Sequence, residues 1–418
     1  MSAPTARIVP GRLWDDLMAL GEIGALPGGG VSRPGLSPAE EEARRWFAAQ
    51  CEQAGLQVRL DAVRNVIARL PSRDPAAKVL AIGSHLDTVP EGGRFDGALG
   101  VVAGLECARA IRESGVELPY HLEVIAFTDE EGAYGPGSVG SRAMLGTLMR
   151  GELARRSTVT GRCFADDLAR LGGDPGEGKA LRAGEEFAWF LELHIEQGSR
   201  LETAGKECGL VTAIVGIDRY EITVTGEAGH AGTTPMQTRK DALVMAAPLF
   251  TLLPAWAIEQ NPEMVATIGA VTLTPGVPNV IPAECRFVVE LRSVEPADLD
   301  SLGARLESYA RDRPAFALRR IYRKPGARMH PGAVAAAEKA VAAAGCSSMT
   351  LPSGAGHDAQ TFAPHVPTAM IFTPCRKGIS HNPAEWLEPG QAATGAQVLL
   401  NAVLALSGKL AGAASRQI

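Results

Sequence analysis

Four groups of acids and imidazoles carry the chemistry in this sequence, and each follows an apolar run. They are His85-Leu86-Asp87, Glu130-Glu131, His194-Ile195-Glu196 and, after a short loop, His381. Asp96 stands apart in the loop Gly93-Arg94-Phe95-Asp96-Gly97. Ligands of open α/β sheets bind beyond the carboxyl ends of the strands, so the groups are expected to converge in one crevice. Imidazole and carboxylate donors without competing thiolates suit a pair of zinc-class divalent ions. Such a pair, about 3.5 Å apart, needs a bridging carboxylate, a bridging water and a free carboxylate to take that water's proton. Adjacent Glu130 and Glu131 can divide the tasks of base and ligand. Asp87, two residues beyond His85, is placed to orient that imidazole.

Taken singly, a strand-end histidine is more often a hydrogen-bonded structural residue, and a Glu-Glu pair is usually a solvated turn. The chain holds only eight histidines, and several fall in polar, glycine-flanked strand ends, which reverses that balance for the set. His121, His330 and His365 lack such a context and read as structural.

The elements that must position these residues alternate in the first half of the chain. Ser37-Pro38-Ala39-Glu40 predicts an N-cap with proline at N1, opening an amphipathic helix through Phe47 and Cys51 that stops at Gly55. Val79-Leu80-Ala81-Ile82 predicts a buried strand, Val101 to Arg112 a helix, and His121 to Phe127 another strand. Strands alternating with helices imply an α/β catalytic domain with a mixed, mostly parallel sheet covered by helices. From Val215 the pattern changes. Arg219 to Thr225 alternates in period two, a helix is expected from Thr234 as N-cap and Pro235 at N1, and strand, strand, helix, strand follow to Tyr322. This predicts an inserted α+β domain, a four-stranded antiparallel sheet with two helices. The expected division is 1–214 and 328–418 for the catalytic domain and 215–327 for the insert.

Bulk composition bounds the partners. At 418 residues the chain exceeds one ordinary core, and 46% apolar with 21% charged residues is a globular profile. A net charge of −6 leaves no basic stripe for phosphates, which argues against nucleic acid. No stretch reads as long enough to cross a bilayer, the first residues lack the apolar segment of a signal peptide, and seven scattered cysteines form no CxxC pair. These readings point to a cytoplasmic chain acting on a small molecule.

Seven ordered motifs resemble those of zinc-dependent M20-type hydrolases, in their hydantoinase/carbamoylase branch. They are Gly83-Ser84-His85-Leu86-Asp87-Thr88-Val89, Gly93 to Gly97, Asp129-Glu130-Glu131-Gly132, Glu192 to Gly198, Gly229-His230-Ala231-Gly232, Ser353 to Ala359 and Gly378-Ile379-Ser380-His381. The resemblance covers nearly the whole chain. It implies two divalent ions, zinc foremost with manganese or cobalt as substitutes. His85, Asp96 and His194 would bind one, and Asp96, Glu131 and His381 the other, with Asp96 bridging. Glu130 would be the general base, Asp87 the carboxylate on His85, and the insert a lid and homodimer contact. Residues matching Gln197, His230, Asn279, Arg292 and His357 would touch substrate or the developing oxyanion. Arg292 could clamp a carboxylate with both nitrogens, and His230 could donate to the oxyanion.

The implied reaction is hydrolysis of the ureido C–N bond of an N-carbamoyl-L-amino acid by a metal-activated bridging water. Allantoate or another ureido acid is the alternative substrate. A dipeptidase-like hydrolase is disfavoured by His194, where M20 peptidases commonly carry an acid. A metal-free scaffold is disfavoured by the complete ligand set. The sequence departs from many members in carrying Glu290 for Asp, and in lacking an arginine-phenylalanine pair after Gly132.

Overall fold

The computed structural model describes residues 6–176, 182 and 184–410. The chain divides into two compact units, one of Met1–Thr212 with Arg328–Ile418 and one of Ala213–Ala327.

In the larger unit a nine-stranded sheet positions the candidate residues. Its spatial order is Gln57–Leu60, Val66–Leu70, His121–Phe127, Val79–His85, Phe187–Ile195, Thr368–Thr373, Cys208–Ile214 and Ala327–Arg328, with Ser348–Ser353 beside Cys208–Ile214. The four central strands, from His121–Phe127 to Thr368–Thr373, run parallel. Their neighbours Val66–Leu70 and Cys208–Ile214 pair antiparallel with them. Val79–His85 and Thr368–Thr373 are buried at every position, as strands covered on both faces must be.

Helix Pro38–Gln53 begins as its sequence dictates. The Ser37 hydroxyl accepts the Glu40 amide at 3.2 Å, Pro38 has no N–H to leave unpaired, and Ala43, Phe47 and Cys51 bury one stripe. Helix Ala98–Ser114 starts directly after the Asp96 loop. Gly97, at φ +65°, sits against the His85 ring so closely that a Cβ there would overlap the imidazole. Glycine at this point lets Asp96 and His85 share one volume.

The smaller unit holds a four-stranded antiparallel sheet in the order Phe316–Lys324, Gly216–Thr225, Glu284–Ser293, Val265–Thr274. Cys285, Phe287, Val289 and Leu291 alternate inward and meet helices Ala242–Gln260 and Pro296–Arg311. One helix differs from expectation. Pro235 is extended at ψ 146°, residues 236–238 make a single 3-10 turn, and the helix begins at Ala242. The Asp241 carboxylate accepts the Leu243 and Val244 amides at 3.0 and 3.1 Å, a cap that Thr234 does not supply. By length and composition this helix, of mean hydropathy 1.6, does reach what a bilayer crossing needs, contrary to the sequence reading. It buries Ala242, Ala246, Leu249, Leu253 and Ala257 in the unit's own core.

Candidate metal centre

The larger unit brings His85, Asp96, Glu131, His194 and His381 together, although they span almost three hundred residues. His194 Nε2 lies 3.1 Å and His85 Nε2 3.6 Å from Asp96 Oδ1. On the other carboxylate oxygen, His381 Nε2 lies 3.4 Å from Asp96 Oδ2 and 3.3 Å from Glu131 Oε1. Two sets of three candidate ligand atoms thus share one aspartate through its two oxygens.

The strand ends fix the imidazoles. His85 Nδ1 lies 2.9 Å from the Asp87 carbonyl and His194 Nδ1 2.9 Å from the Ile195 carbonyl. A carbonyl only accepts, so Nδ1 carries the proton in both rings and each Nε2 faces the cluster, that of His194 also accepting the Gly97 amide at 3.1 Å. The Asp87 main chain thus makes the hydrogen bond to His85, with the Asp87 Oδ1 3.7 Å from the same Nδ1. The Asp87 carboxylate also accepts the Glu130 and Glu131 amides at 3.2 and 3.0 Å, fixing the turn that carries both acids. Glu130 stands beside the cluster: Ser138 Oγ donates to its Oε1 at 3.1 Å, and its Oε2 is 3.9 Å from His85 Nε2.

Burial and crowding set the electrostatics. Desolvation, with Asp96 alongside, pushes the Glu131 carboxyl up to about 7. The close carboxylates of Asp96 and Glu131 push His381 up to about 10. Burial works against a charged His85, yet the surrounding carboxylates Glu130, Asp87, Glu131 and Asp96 hold it well above its ordinary value. Protons thus stand where a cation would neutralise the acids. Glu131 Oε1 is buried and has no aligned hydrogen-bond partner, and ligand atoms around a four-coordinate zinc sit about 3.3 Å apart. The observed spacings and the imidazole and carboxylate donors fit divalent ions.

A third group, Glu192, His194 and His357, is committed otherwise. Glu192 accepts Ser84 Oγ at 3.0 Å and the Ala359 amide at 2.8 Å, while His357 Nε2 lies 2.9 Å from Ser353 Oγ. The buried His357 ring packs on His194 with centroids 4.5 Å apart. Gln197 Nε2 donates to Asp96 Oδ2 at 2.7 Å, while its Oε1 is buried without a hydrogen-bond partner.

His230, Asn279 and Arg292 belong to the smaller unit. His230 and Val280 pair across a short two-stranded sheet, and the Ala231 amide donates to the Asn279 carbonyl at 3.1 Å. His230 Nδ1 accepts the Gly232 and Thr233 amides at 3.0 and 3.2 Å, which leaves Nε2 as the donor. Arg292 Nε donates to Glu290 Oε1 at 2.8 Å. Sequence reasoning missed Glu192, Ser138, Ser380 and Glu385. Glu192 and Ser380 lie inside motifs read from the sequence but carry no assigned role there, Ser138 lies eight residues from its partner Glu130, and Glu385 bonds to Phe95 and Asp96 across almost three hundred residues. His121 and His330 accept the Ser72 and Gly332 amides at Nδ1, and His121 Nε2 faces the Pro75 carbonyl at 3.4 Å.

Imidazoles and carboxylates gathered at the strand ends of a mixed sheet, with a smaller α+β unit inserted in the chain, define a metal-dependent hydrolase. The chain belongs to Peptidase family M20/M25/M40, whose family model matches residues 81–405. It is 39% identical over 403 residues to an N-carbamoyl-L-amino acid amidohydrolase of Geobacillus stearothermophilus, covering 95% of this chain and 98% of that one. An allantoate amidohydrolase of Bacillus subtilis is 31% identical, covering 96% and 98%. Among solved structures, a hydantoinase/carbamoylase family amidase from Burkholderia multivorans superposes with a TM-score of 0.88 at 36% identity, over 97% of this chain and 99% of that one.

Proposed function

We propose that this chain is an amidohydrolase that cleaves the ureido C–N bond of an N-carbamoyl-L-amino acid, yielding the amino acid, carbon dioxide and ammonia. The observation that carries the reading is the pair of ligand sets joined through the two oxygens of Asp96, in a chain 39% identical to an enzyme named for that reaction. His85, Asp96 and His194 would hold one divalent ion, and Asp96, Glu131 and His381 a second. Zinc suits the donors, and manganese or cobalt accepts the same ligand types. Bound there, the ions supply Lewis acidity to the substrate carbonyl and ease the deprotonation of water.

The chain's own residues do the rest. Glu130, braced by Ser138, takes a proton from the attacking water and returns it to the leaving nitrogen. One water adds, one C–N bond breaks, and the carbamic acid released decomposes to carbon dioxide and ammonia. Asp87 keeps Glu130 and Glu131 in register by holding their amides. Arg292 and Asn279 are assigned to the substrate carboxylate, and Gln197 and His357 to its amide end. His230, with its Nε2–H free to donate, is assigned to the oxygen that gains charge.

The smaller unit is assigned as the lid and homodimer contact. Its edge strand Val265–Thr274 is paired on one side, and Val244, Ile258, Val265 and Val271 are exposed. A cytoplasmic location agrees with seven cysteines that are all free. Allantoate is the second reading, favoured by the 31% identical relative. A turnover screen with zinc or manganese over N-carbamoyl-L-amino acids, allantoate, ureidoglycolate and dipeptides decides between them. The proposed reading expects N-carbamoyl-L-amino acids to be cleared fastest, and faster clearance of any other class replaces it. Sedimentation of the purified chain tests the dimer.

A further inference from the structure

Two loops that are far apart in sequence supply the acid shared by both ligand sets and one of the imidazoles. Asp96 lies in 93–97 and His381 in 380–385, and neither loop is a strand or helix that would fix itself. Between them stands one side chain. Glu385, 3% exposed, accepts the Phe95 amide at 2.7 Å and the Asp96 amide at 3.1 Å through Oε1, across 290 and 289 residues. Its Oε2 lies 3.0 Å from Ser380 Oγ, and that hydroxyl is also 2.6 Å from Asp96 Oδ2. A Cβ on Gly93 would overlap the Glu385 carboxyl group, so the first loop is shaped to receive it.

The geometry points to Glu385 as a positioning residue that locks the Asp96 loop to the His381 loop and aims the Asp96 carboxylate through Ser380. This rests on the metal-hydrolase reading and deepens it. Without Glu385, two buried amides lose their acceptor and the carboxylate shared by both ligand sets loses its orientation, while every ligand side chain remains. Reach and acceptor geometry do this work, and the charge is secondary. A glutamine can still accept both amides through its carbonyl and donate to Ser380, leaving the serine proton for Asp96.

The test compares Glu385→Ala, Glu385→Gln and Ser380→Ala in the full chain, measuring zinc affinity by competition with a chelator and metal per chain by elemental analysis. Glu385→Ala is expected to bind zinc about 10- to 100-fold more weakly, with turnover returning as zinc or manganese is raised. Glu385→Gln should remain within roughly threefold of the wild type, and Ser380→Ala should fall between the two. A purely structural role would lower the thermal midpoint of the ion-free protein without this graded loss of metal. Wild-type affinity in Glu385→Ala, or in Ser380→Ala should the former not fold, overturns the inference, as does a glutamine variant as weak as alanine. A wild-type chain that binds no divalent ion overturns the hydrolase reading itself.

Discussion

The two candidate ligand sets meet in Asp96 and differ in what surrounds it. His85 and His194 end central strands, are almost wholly buried, and are held by main-chain carbonyls. Glu131 and His381 ride on loops; His381 has φ +53° and a side chain 47% exposed. A carbonyl at a strand end cannot move without its sheet, so the buried half is set by the fold. The open half depends on side-chain hydrogen bonds and on reach across loops. The difference teaches that main-chain contacts of the sheet hold one half and side-chain contacts of loops the other, with one aspartate shared between them.

The largest expected effect separates chemistry from binding in both halves. Glu130→Gln should lower kcat by about 10²- to 10⁴-fold while metal per chain stays at the wild-type value, and a parallel loss of metal would make Glu130 a ligand instead. Next, His194→Ala should cost the ion-free fold about 2–4 kcal/mol through the cavity it leaves, whereas His381→Ala should stay within about 0.5 kcal/mol. Equal melting shifts would erase the distinction between the halves.

Chelation sharpens the contrast further. Ions should leave in two phases, the faster abolished by His381→Ala, and a single phase would break the comparison. The last expected effect is on pH. His381 keeps its proton up to about 10 and Glu131 up to about 7 in the ion-free site, so both protonated forms compete with a cation as pH falls. As pH falls from about 10 to 7, affinity at the open half should drop about tenfold per pH unit, one proton being displaced, and more steeply below pH 7. A flat profile in a calorimetric zinc titration would contradict this.

Much of the candidate site is legible because its local signals are strong. The apolar runs that lead to His85, Glu130 and His194 are largely buried strands. Pro38 after Ser37 fixes a helix start, and the period-two pattern of Arg219 to Thr225 is an antiparallel strand. The helix start at Thr234 misleads because Asp241, seven residues on, offers a carboxylate that caps two amides. Residue type and spacing cannot rank two such caps when a turn can intervene.

The sequence by itself determined which donors are present and which stand at strand ends, because side-chain chemistry and two-residue periodicity are local properties. Only the tertiary structure decided where the carboxylates point. The Asp87 carboxylate takes the amides of Glu130 and Glu131 while its main-chain carbonyl bonds to His85; Gln197 bonds to Asp96; and Glu385 joins two loops 290 residues apart. A carboxylate takes whichever buried donors would otherwise go unpaired, and those donors are chosen by the folding of distant chain segments onto one another.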